Sequence, residues 1–400
     1  MPDQALSGMR VLDVGHHIAG PYCTKLLADF GAQVIKVERP DAGDPARRMG
    51  PFPNDEPNQE ASGLFFYLNN NKQSITLNLK SIAGVKIFQE LVKKVDILVE
   101  NFSPRVMPSL GLSYDRLKAI NTGLVMTSIS NFGQSGPYRD YKATEMVLQA
   151  LGGYMWGRGE PAREPIRAAG QLELGELVGG VYAASGTMTA FGHKVQTGTG
   201  QQVDVALVEV IASIMAYPVA MSTFPRNLPW PQKRMTFVPS VEECKDGYIG
   251  VNVLTGPHWV SLCAMMGMDD WAEHPDYRIL IERLKRPKHV HDRMRPWLMA
   301  RTKEEILREG QTWRIPFAPV YSSEDIMRSP QYQARDSLAE IEHPALGRVT
   351  QPGATFRMGE TPWQVKSPAP LLGQDNEELY GELLGYSKGD LVKLRQAGVI

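Results

Sequence analysis

Residues Arg10 to Pro21 read Arg-Val-Leu-Asp-Val-Gly-His-His-Ile-Ala-Gly-Pro, and this stretch decides the fold of the chain. Its first five residues form a short apolar run closed by Gly15, a pattern typical of a buried strand. Pro21 suits the first turn of the helix that follows, because its missing N–H would be unpaired there in any case. A second apolar run, Val34–Glu38, comes after that helix. This order predicts a βαβ unit, in which the strands are parallel and the crossover is right-handed.

Two similar units follow along the chain. A helix predicted from about Ile82 to Lys94 leads into the strand Asp96–Glu100, and a helix near Tyr114–Ile120 leads into the strand Leu124–Ile129. Alternation of this kind predicts an α/β fold with an open, largely parallel sheet. In such sheets ligands bind at the carboxyl ends of the strands.

The 400 residues exceed the size at which a single core stops growing, so two domains are expected. We predict a large α/β domain over 1–221, whose last strand begins near Gln202. Three prolines within 222–232 indicate a linker. A smaller domain rich in helices is predicted for 233–318. The chain then returns to the large domain over 319–400 and ends in two short helices.

The composition excludes several classes of function. A net charge of −1 gives no long-range attraction for nucleic acid or an anionic membrane, so a small-molecule partner is favoured. The three cysteines are widely spaced and indicate a reducing compartment. The N-terminus lacks the basic start and apolar core of a signal peptide, and no apolar run approaches the ~18 residues that a membrane span needs. A cytoplasmic protein is predicted.

A second stretch, Ala168–Gly186, predicts a loop leading into a helix and carries two carboxylates, Glu173 and Glu176. Residues three apart project from neighbouring positions of a helix, so the two lie close together. Four glycines lie in the helical part, and each costs about 1 kcal/mol against Ala in a helix interior. A cost of this size suggests that another helix or a ligand approaches the backbone closely. From the residues alone, Glu176 is either a nucleophile or a surface acid.

Four cations follow predicted strands or lie in loops: Arg39, Lys80, Arg105 and Lys142. Because several of these loops meet at the carboxyl edge of the sheet, their charges are placed to converge on a phosphorylated ligand. A basic residue taken singly is more often solvated surface, and that reading stays open for each of the four.

The turn Gly15–Pro21 places backbone N–H groups at a helix N-terminus, which favours anion binding. Its glycines are five apart and do not form GxGxxG, so a nicotinamide enzyme is disfavoured even though the acid Glu38 ends the second strand. His16 and His17 are adjacent and cannot face one metal ion from a helix or a strand. No HExxH pattern is present, and no metal is expected.

Several stretches resemble the class III CoA-transferases, the family of formyl-CoA, carnitine and bile-acid CoA-transferases, which also includes α-methylacyl-CoA racemase. They span almost the whole chain in the order of the family. The matching stretches are Leu12-Asp-Val, Ala19-Gly-Pro, Leu27-Ala-Asp-Phe-Gly-Ala-Gln-Val-Ile-Lys-Val-Glu-Arg-Pro40, Gly43-Asp44, Asn71-Lys72, Val99-Glu-Asn-Phe102, Phe132-Gly-Gln-Ser-Gly-Pro137, Thr197-Gly-Thr-Gly-Gln201 and Ala369-Pro-Leu-Leu-Gly373.

The resemblance implies a Rossmann-like large domain built from both chain ends, a smaller domain between them, and two monomers threaded through each other as interlocked rings. It also implies that coenzyme A is bound as an acyl-CoA substrate. The implied CoA site comprises His16, Ile18, Ala19, Arg39, Leu77, Lys80, Asn101, Phe102, Ser103 and Lys142.

Within this implied site the cations would hold the phosphates of CoA, while Leu77 and Phe102 would flank adenine or pantetheine. Formyl-CoA transferase has an arginine where Ser109 stands here, and Arg105 in the same loop is expected to replace that phosphate contact. Ile18 replaces a glutamine of formyl-CoA transferase and favours a bulkier, apolar acid.

The resemblance also assigns a nucleophile. The family places an Asp four residues before one helix glycine and ten before another, and counting back from Gly180 and Gly186 leads to Glu176 in both cases. In active members the Asp attacks the acyl-CoA carbonyl and later carries CoA as a thioester. Glu has the same chemistry with one more methylene. The helix glycines are then expected to be the surface that the thioester end of CoA approaches.

Three functions follow from this resemblance. The first is a CoA-transferase that moves CoA from an acyl-CoA such as succinyl-CoA to an organic acid, with Glu176 as nucleophile. The second is an inactive subunit of a heteromer whose partner keeps the Asp, as in two-subunit members resembling succinyl-CoA:(R)-benzylsuccinate CoA-transferase of anaerobic toluene breakdown; an aromatic succinate would then be the acceptor. The third is an acyl-CoA racemase, with His16, His17 or Glu145 as a base. A homodimer and a heteromer both remain open.

Overall fold

The computed structural model describes residues 4–156, 173–215, 220 and 238–400, and these ranges fall into two compact units. The large unit contains the described residues up to 220 together with 336–400, and the small unit contains 238–335. The predicted linker, 222–232, lies outside the described residues. The described N-terminal part of the chain and residues 336–400 therefore belong to one unit.

A parallel sheet of six strands forms the centre of the large unit, with the strand order β3-β2-β1-β4-β5-β6. Every neighbouring pair in it is parallel. The strands are β1 Arg10–Asp13, β2 Gln33–Glu38, β3 Lys72–Thr76, β4 Ile97–Glu100, β5 Val125–Ser130 and β6 Gln202–Ala206. The order reverses between β1 and β4, so a crevice for a ligand opens at their carboxyl ends. The predicted α/β class is confirmed.

Helices cover both faces of this sheet. They are α1 Ala19–Ala28, α2 Gly63–Asn69, α3 Ile82–Val92, α4 Val106–Ser109, α5 Tyr114–Ile120, α6 Glu145–Leu151, α7 Leu174–Thr197 and α8 Leu207–Ile214, followed near the C-terminus by Asn376–Leu384 and Lys388–Gln396. Val11 and Leu12 show how the strands serve both faces. Val11 packs with residues of α1, α7 and α8, and Leu12 packs with residues of α3, α5 and the C-terminal helices. No helix in the described ranges is long and apolar enough to cross a membrane.

The outer edge of β3 is closed by the C-terminal part of the chain. The backbone of Ser74 exchanges hydrogen bonds with Asp375, whose N–H donates to the Ser74 carbonyl at 2.9 Å. The Thr76 N–H donates to Asn376 Oδ1 at 2.9 Å, and the Tyr380 hydroxyl donates to the Thr76 carbonyl at 2.8 Å. Polar backbone groups that an edge strand would leave open are thus satisfied within the unit.

A buried network of charges joins β1, β2 and β3. Asp13 accepts hydrogen bonds from Lys72 Nζ at 3.0 Å and from the Thr24 hydroxyl at 2.7 Å. Lys36 Nζ lies 2.8 Å from Asp44 Oδ2 and donates to the Gly15 carbonyl at 2.9 Å. All of these ionic side chains are buried. The nearby lysines hold the pKa of Asp13 below its usual value despite its burial.

The small unit has its own core and its own sheet. Val241–Cys244, Gly247–Val251 and Phe317–Pro319 form three antiparallel strands in that order, and helices between 256 and 334 surround them. The predicted return of the chain at 319 falls within the last strand, and the unit continues to Arg335. Within the large unit, Leu338–His343 and Gly347–Pro352 form a separate antiparallel hairpin.

The glycines of α7 serve packing within the chain, not contact with a thioester. A Cβ added at Gly180 would lie 2.9 Å from the Ala19 carbonyl oxygen, and one at Gly179 would lie 2.2 Å from a Leu207 methyl carbon. An added Cβ at Gly175 would meet Ile211 at 2.9 Å. The expectation that these glycines face the ligand is therefore wrong. They let α1 and α8 approach α7 closely.

This packing gives a stability prediction with a matched control in the same helix. Gly180→Ala should lower the free energy of unfolding by about 1–3 kcal/mol, because its Cβ would press on the backbone of α1. Gly192→Ala should raise the same quantity by up to about 1 kcal/mol, since an added Cβ there would meet no atom of the described chain within 4 Å. Urea unfolding of both variants measures the difference. Shifts in the same direction would contradict the packing role.

Candidate active site

A cavity of about 1020 Å³ lies in the large unit at the carboxyl ends of β1, β4 and β5. Its walls come from the loop after β1, the segment 101–105 after β4, the segment 139–146 and the starts of α7 and α8. The sequence-predicted residues that line it are Ile18, Ala19, Asn101, Phe102, Ser103, Arg105, Lys142 and Glu176. The structure therefore brings most of the predicted CoA site and the predicted nucleophile to one cavity.

Glu176 lies in the first turn of α7, with its carboxylate directed at the start of α1. The Ala19 backbone N–H donates a hydrogen bond to Glu176 Oε2 at 3.3 Å. The side chain is half-buried and lines the cavity. Of the two readings that the sequence allowed, a surface acid does not fit this position. Glu176 is placed where a substrate in the cavity can reach it.

Two further carboxylates surround Glu176. Burial raises the pKa of Glu176 to about 7, and the negative charges of Glu173 and Glu145 act in the same direction, while hydrogen bonds from the backbone of Ala19 and Ile18 oppose them. Burial and the charge of Glu145 also raise the pKa of Glu173. A carboxyl with a pKa near 7 can exchange its proton easily at neutral pH.

Glu145 holds the first turn of α7 in place. Its Oε1 accepts hydrogen bonds from the Gly175 backbone N–H at 2.9 Å and from Gln149 Nε2 at 2.7 Å. Its Oε2 is buried and has no hydrogen-bond partner among the described residues. Because the first N–H groups of a helix have no partner within it, this contact fixes the turn from which Glu176 projects.

The loop after β1 is fixed by contacts on both sides. Asn101 accepts a hydrogen bond from the His16 N–H at 2.7 Å and donates one to the His16 carbonyl at 2.8 Å. The His17 N–H donates to Asp44 Oδ1 at 3.0 Å, and His17 has a positive φ of 59°. A positive φ is uncommon for a residue other than glycine and marks a loop held by its surroundings.

His16 lies behind the cavity wall instead of forming part of it. Its ring packs edge to face on the Phe102 ring, with centroids 5.0 Å apart. Burial lowers the pKa of His16, so the ring is neutral at physiological pH. His16 therefore supports Phe102, and its neighbour His17 lines the cavity.

Arg105, expected to bind a phosphate, is already engaged. Its guanidinium donates two hydrogen bonds to Asp140, from Nε at 2.8 Å and from Nη2 at 2.6 Å. Both residues line the cavity, and the Arg105 side chain is 75% exposed. An exposed ion pair of this kind contributes only about 0–1 kcal/mol, so a phosphate can displace Asp140.

Besides His16, three predicted CoA residues do not line the cavity. The Leu77 side chain is 1% exposed and packs in the core, so it cannot flank adenine in this conformation. Arg39 and Lys80 follow β2 and β3, on the other side of the strand reversal from β4. Arg39 is more than half exposed and lies 3.5 Å from Asp41. These two cations follow strands at the predicted sheet edge but do not line the cavity that contains Glu176.

Glu38 is unavailable to a ribose, which agrees with the weak case for a nicotinamide enzyme. It accepts hydrogen bonds from Arg47 Nε at 2.7 Å and from Arg47 Nη2 at 2.8 Å, and both residues are buried. Ser74 and the Asp44 backbone N–H occupy the same carboxylate. Within the described ranges, no group of three or more His, Cys, Asp or Glu residues is arranged to hold a metal ion.

Two charged residues of the cavity, Arg139 and Asp140, were not predicted from the sequence. Arg139 and Asp140 lie between β5 and α6, three and two residues before Lys142. The signal that selected Lys142, a cation in a loop after a strand, applies equally to Arg139. Asp140 offered no such signal, because its role depends on the distance to Arg105 in another loop.

The raised pKa of Glu176 predicts a pH-dependent stability difference. This carboxyl holds its proton more tightly in the folded state, so its contribution to stability is largest below about 4.5 and is lost as the pH rises through about 7. Glu176→Gln should therefore become more stable relative to the parent protein between pH 5 and pH 8, by about 1–3 kcal/mol. Thermal unfolding at both pH values measures this, with the exposed Glu382→Gln as control. An identical difference at both pH values would contradict it.

Comparison with known proteins agrees with this geometry. The profile of CoA-transferase family III matches residues 6–376. A formyl-CoA:oxalate CoA-transferase of Rhodopseudomonas palustris (strain BisA53) is 31% identical, over 99% of this chain and 97% of the relative. A protein of Chloroflexus aurantiacus, the succinyl-CoA–L-malate CoA-transferase alpha subunit, is 32% identical over 99% of this chain and 92% of its own. The crystal structure of a CAIB/BAIF family protein from Brucella suis superposes with a TM-score of 0.84 at 26% identity, covering 95% of this chain and all of that one. The chain belongs to CoA-transferase family III.

Proposed function

We propose that this protein transfers CoA from an acyl-CoA, such as succinyl-CoA, to an organic acid, with Glu176 as the nucleophile. The observation that carries the proposal is the position of the Glu176 carboxylate. It lies in the wall of the cavity formed by the predicted CoA residues, next to backbone N–H groups at the start of α1. Membership of the family supports a carboxylate mechanism at this position.

The proposed reaction begins when the Glu176 carboxylate attacks the thioester carbonyl. The C–S bond breaks, CoA leaves as a thiolate, and Glu176 is joined to the acyl group as a mixed anhydride. The thiolate then attacks the Glu176 carbonyl, which releases the donor acid and leaves CoA on Glu176 as a thioester. The acceptor carboxylate takes CoA by the reverse steps, and Glu176 is regenerated.

The surroundings of Glu176 suit these steps. Only the ionised carboxylate is a nucleophile, and with a pKa near 7 it becomes available at neutral pH. The Ala19 N–H points at the carboxylate from a helix N-terminus, where backbone donors stabilise negative charge. The charge that develops on oxygen in each tetrahedral intermediate would be stabilised by such donors.

The CoA chain is proposed to extend from Glu176 towards the mouth of the cavity. Asn101, Phe102 and Ser103 follow β4 and line the cavity together with Lys142. Arg105 would exchange Asp140 for a phosphate. Cations further along the sheet edge, at Arg39 and Lys80, would bind the remaining phosphates if the nucleotide crosses the strand reversal.

The choice of donor and acceptor rests on relatives and on one residue. A relative named as a succinyl-CoA transferase supports succinyl-CoA as donor. Ile18 gives the cavity an apolar contribution next to Ala19. We propose an organic acid with an apolar portion as the acceptor. An aromatic succinate stays a prediction within that class.

A second candidate is a subunit of a heteromer, in which the partner supplies an Asp. It is favoured by Glu in place of the family Asp and by one relative, which is named as an alpha subunit. The interlocked dimer, with two copies of this chain or with such a partner, is part of the same proposal. The two candidates differ in which chain carries the thioester.

Chemical trapping of the thioester separates them. After incubation with succinyl-CoA, hydroxylamine should convert Glu176 into a hydroxamate, which peptide mass spectrometry locates. Glu176→Gln is the control and should carry no label. If Glu176 stays unlabelled while a co-purified homologous chain is labelled on an Asp, this chain is the non-catalytic subunit.

Glu176→Asp tests whether the cavity is built around the longer side chain. Shortening the side chain withdraws the carboxylate by about 1 Å, and a misplacement of that size can cost on the order of a hundredfold in rate. We expect such a loss in the exchange of isotope-labelled succinate into succinyl-CoA, an assay that needs no knowledge of the acceptor. A gain in rate would mean that the cavity retains the geometry of the family Asp and that Glu176 is not its working nucleophile.

A further inference from the structure

Arg139 is a cation of the cavity wall whose buried Nε has no hydrogen-bond partner among the described residues. It lies between β5 and α6, is half-buried and lines the same cavity as Glu176. Its Nε is buried, and its side chain makes no hydrogen bond or ion pair with any described residue. A guanidinium carries five N–H donors, and a buried donor without an acceptor is unfavourable. The arrangement is suited to an anionic group brought by the substrate.

The carboxylates of the cavity make such a cation necessary for some substrates. Glu145, Glu173 and Glu176 all line this cavity. A substrate with a free carboxylate next to its reacting group would be repelled by these charges, because Coulomb interactions are strong where water is partly excluded. A guanidinium in the same wall offsets this repulsion. It also matches the two oxygens of a carboxylate in its plane.

Burial distinguishes Arg139 from the other cations of the cavity. Arg105 is 75% exposed and Lys142 is also exposed, so both suit the solvated phosphates of CoA. Arg105 is also occupied by Asp140. Arg139 is less exposed than either. Its charge helps to lower the pKa of the neighbouring Asp140, after the larger effect of Arg105, but its guanidinium forms no ion pair with an acid among the described residues. Its lower exposure suits the acyl end of the substrate better than the solvated phosphates of the nucleotide end.

We propose that Arg139 is a specificity-determining residue that binds the free carboxylate of a dicarboxylic acyl group, as in succinyl-CoA. The inference rests on the proposed CoA-transferase function and names the substrate class of the same site. Arg139 then selects acyl groups that carry a free carboxylate over monocarboxylic acyl groups of equal length.

The test compares two thioesters that differ only at the end of the acyl chain. Succinyl-CoA carries a terminal carboxylate, and butyryl-CoA has a methyl group there. Binding of each to the purified protein is measured by calorimetry, which requires no turnover. The parent protein should bind succinyl-CoA more tightly. The preference is expressed as the Kd of butyryl-CoA divided by the Kd of succinyl-CoA. In Arg139→Gln this ratio should fall by about tenfold or more, since hydrogen bonds to charged groups are strong. Arg139→Lys, which keeps the charge, should retain part of the preference.

Lys142→Gln is the matched control, because it removes a cation assigned to the CoA moiety that both thioesters share. It should weaken both by the same factor. If Arg139→Gln weakens the binding of both thioesters by the same factor, Arg139 binds a CoA phosphate and the inference is overturned. The inference is also overturned if Arg139→Gln changes neither Kd. If Glu176 cannot be trapped as a hydroxamate but Arg139→Gln still lowers the Kd ratio as expected, the catalytic proposal is wrong and the inference about Arg139 stands. A parent protein that binds neither thioester would overturn both.

Discussion

The buried ionic network of Asp13, Lys36, Lys72 and Asp44 is the constraint on which the rest of the site depends. It ties the carboxyl ends of β1 and β2 to the start of β3 and reaches the loop after β1 through the Gly15 carbonyl and the His17 N–H. Buried charges are tolerated only when they are paired and hydrogen-bonded, so each partner restricts the others. The loop that leads to Ala19 is therefore restrained by these contacts, and the position of the backbone donor facing Glu176 depends on interactions beneath the cavity.

Much of this fold could be predicted from the chain, and the exceptions share a physical cause. The strands β1, β2, β4 and β5 are apolar runs, and their parallel order follows from the helices between them. The strand β3, Lys72–Thr76, was missed, because Lys-Gln-Ser-Ile-Thr has no apolar pattern. Its lysine is buried by charge pairing with Asp13, an interaction between residues 59 positions apart. The predicted return of the chain at 319 cuts through the strand Phe317–Pro319, whose pairing with a strand of the small unit is likewise a long-range property.

The candidate active site also divides into features that local sequence predicts and features that depend on long-range contacts. Glu176 and the predicted CoA residues that line the cavity were selected through motifs, which record local spacing. The pairing of Arg105 with Asp140, the support of Phe102 by His16 and the burial of Leu77 depend on distances between loops, which spacing does not contain. The glycines of α7 were correctly taken as points of close approach, but only the packing showed that α1 and α8 make the approach. Burial of the Glu176 carboxyl, helped by the negative charges of Glu173 and Glu145, disfavours its ionised form, and this is the physical origin of the pKa near 7 that the chemistry can use.

The closure of β3 by Asp375, Asn376 and Tyr380 has a consequence for how the protein is made. Ser74 and Thr76 are synthesised 300 residues before their edge partners. Until residues beyond 370 emerge from the ribosome, the nascent sheet exposes an open hydrogen-bonding edge that can pair with other chains. The small unit, by contrast, is a continuous segment from 238 to 335 within the described residues and can form its contacts during synthesis. Contacts of such large sequence separation slow folding, so the large unit is expected to complete its fold late and to depend on protection of that edge until then.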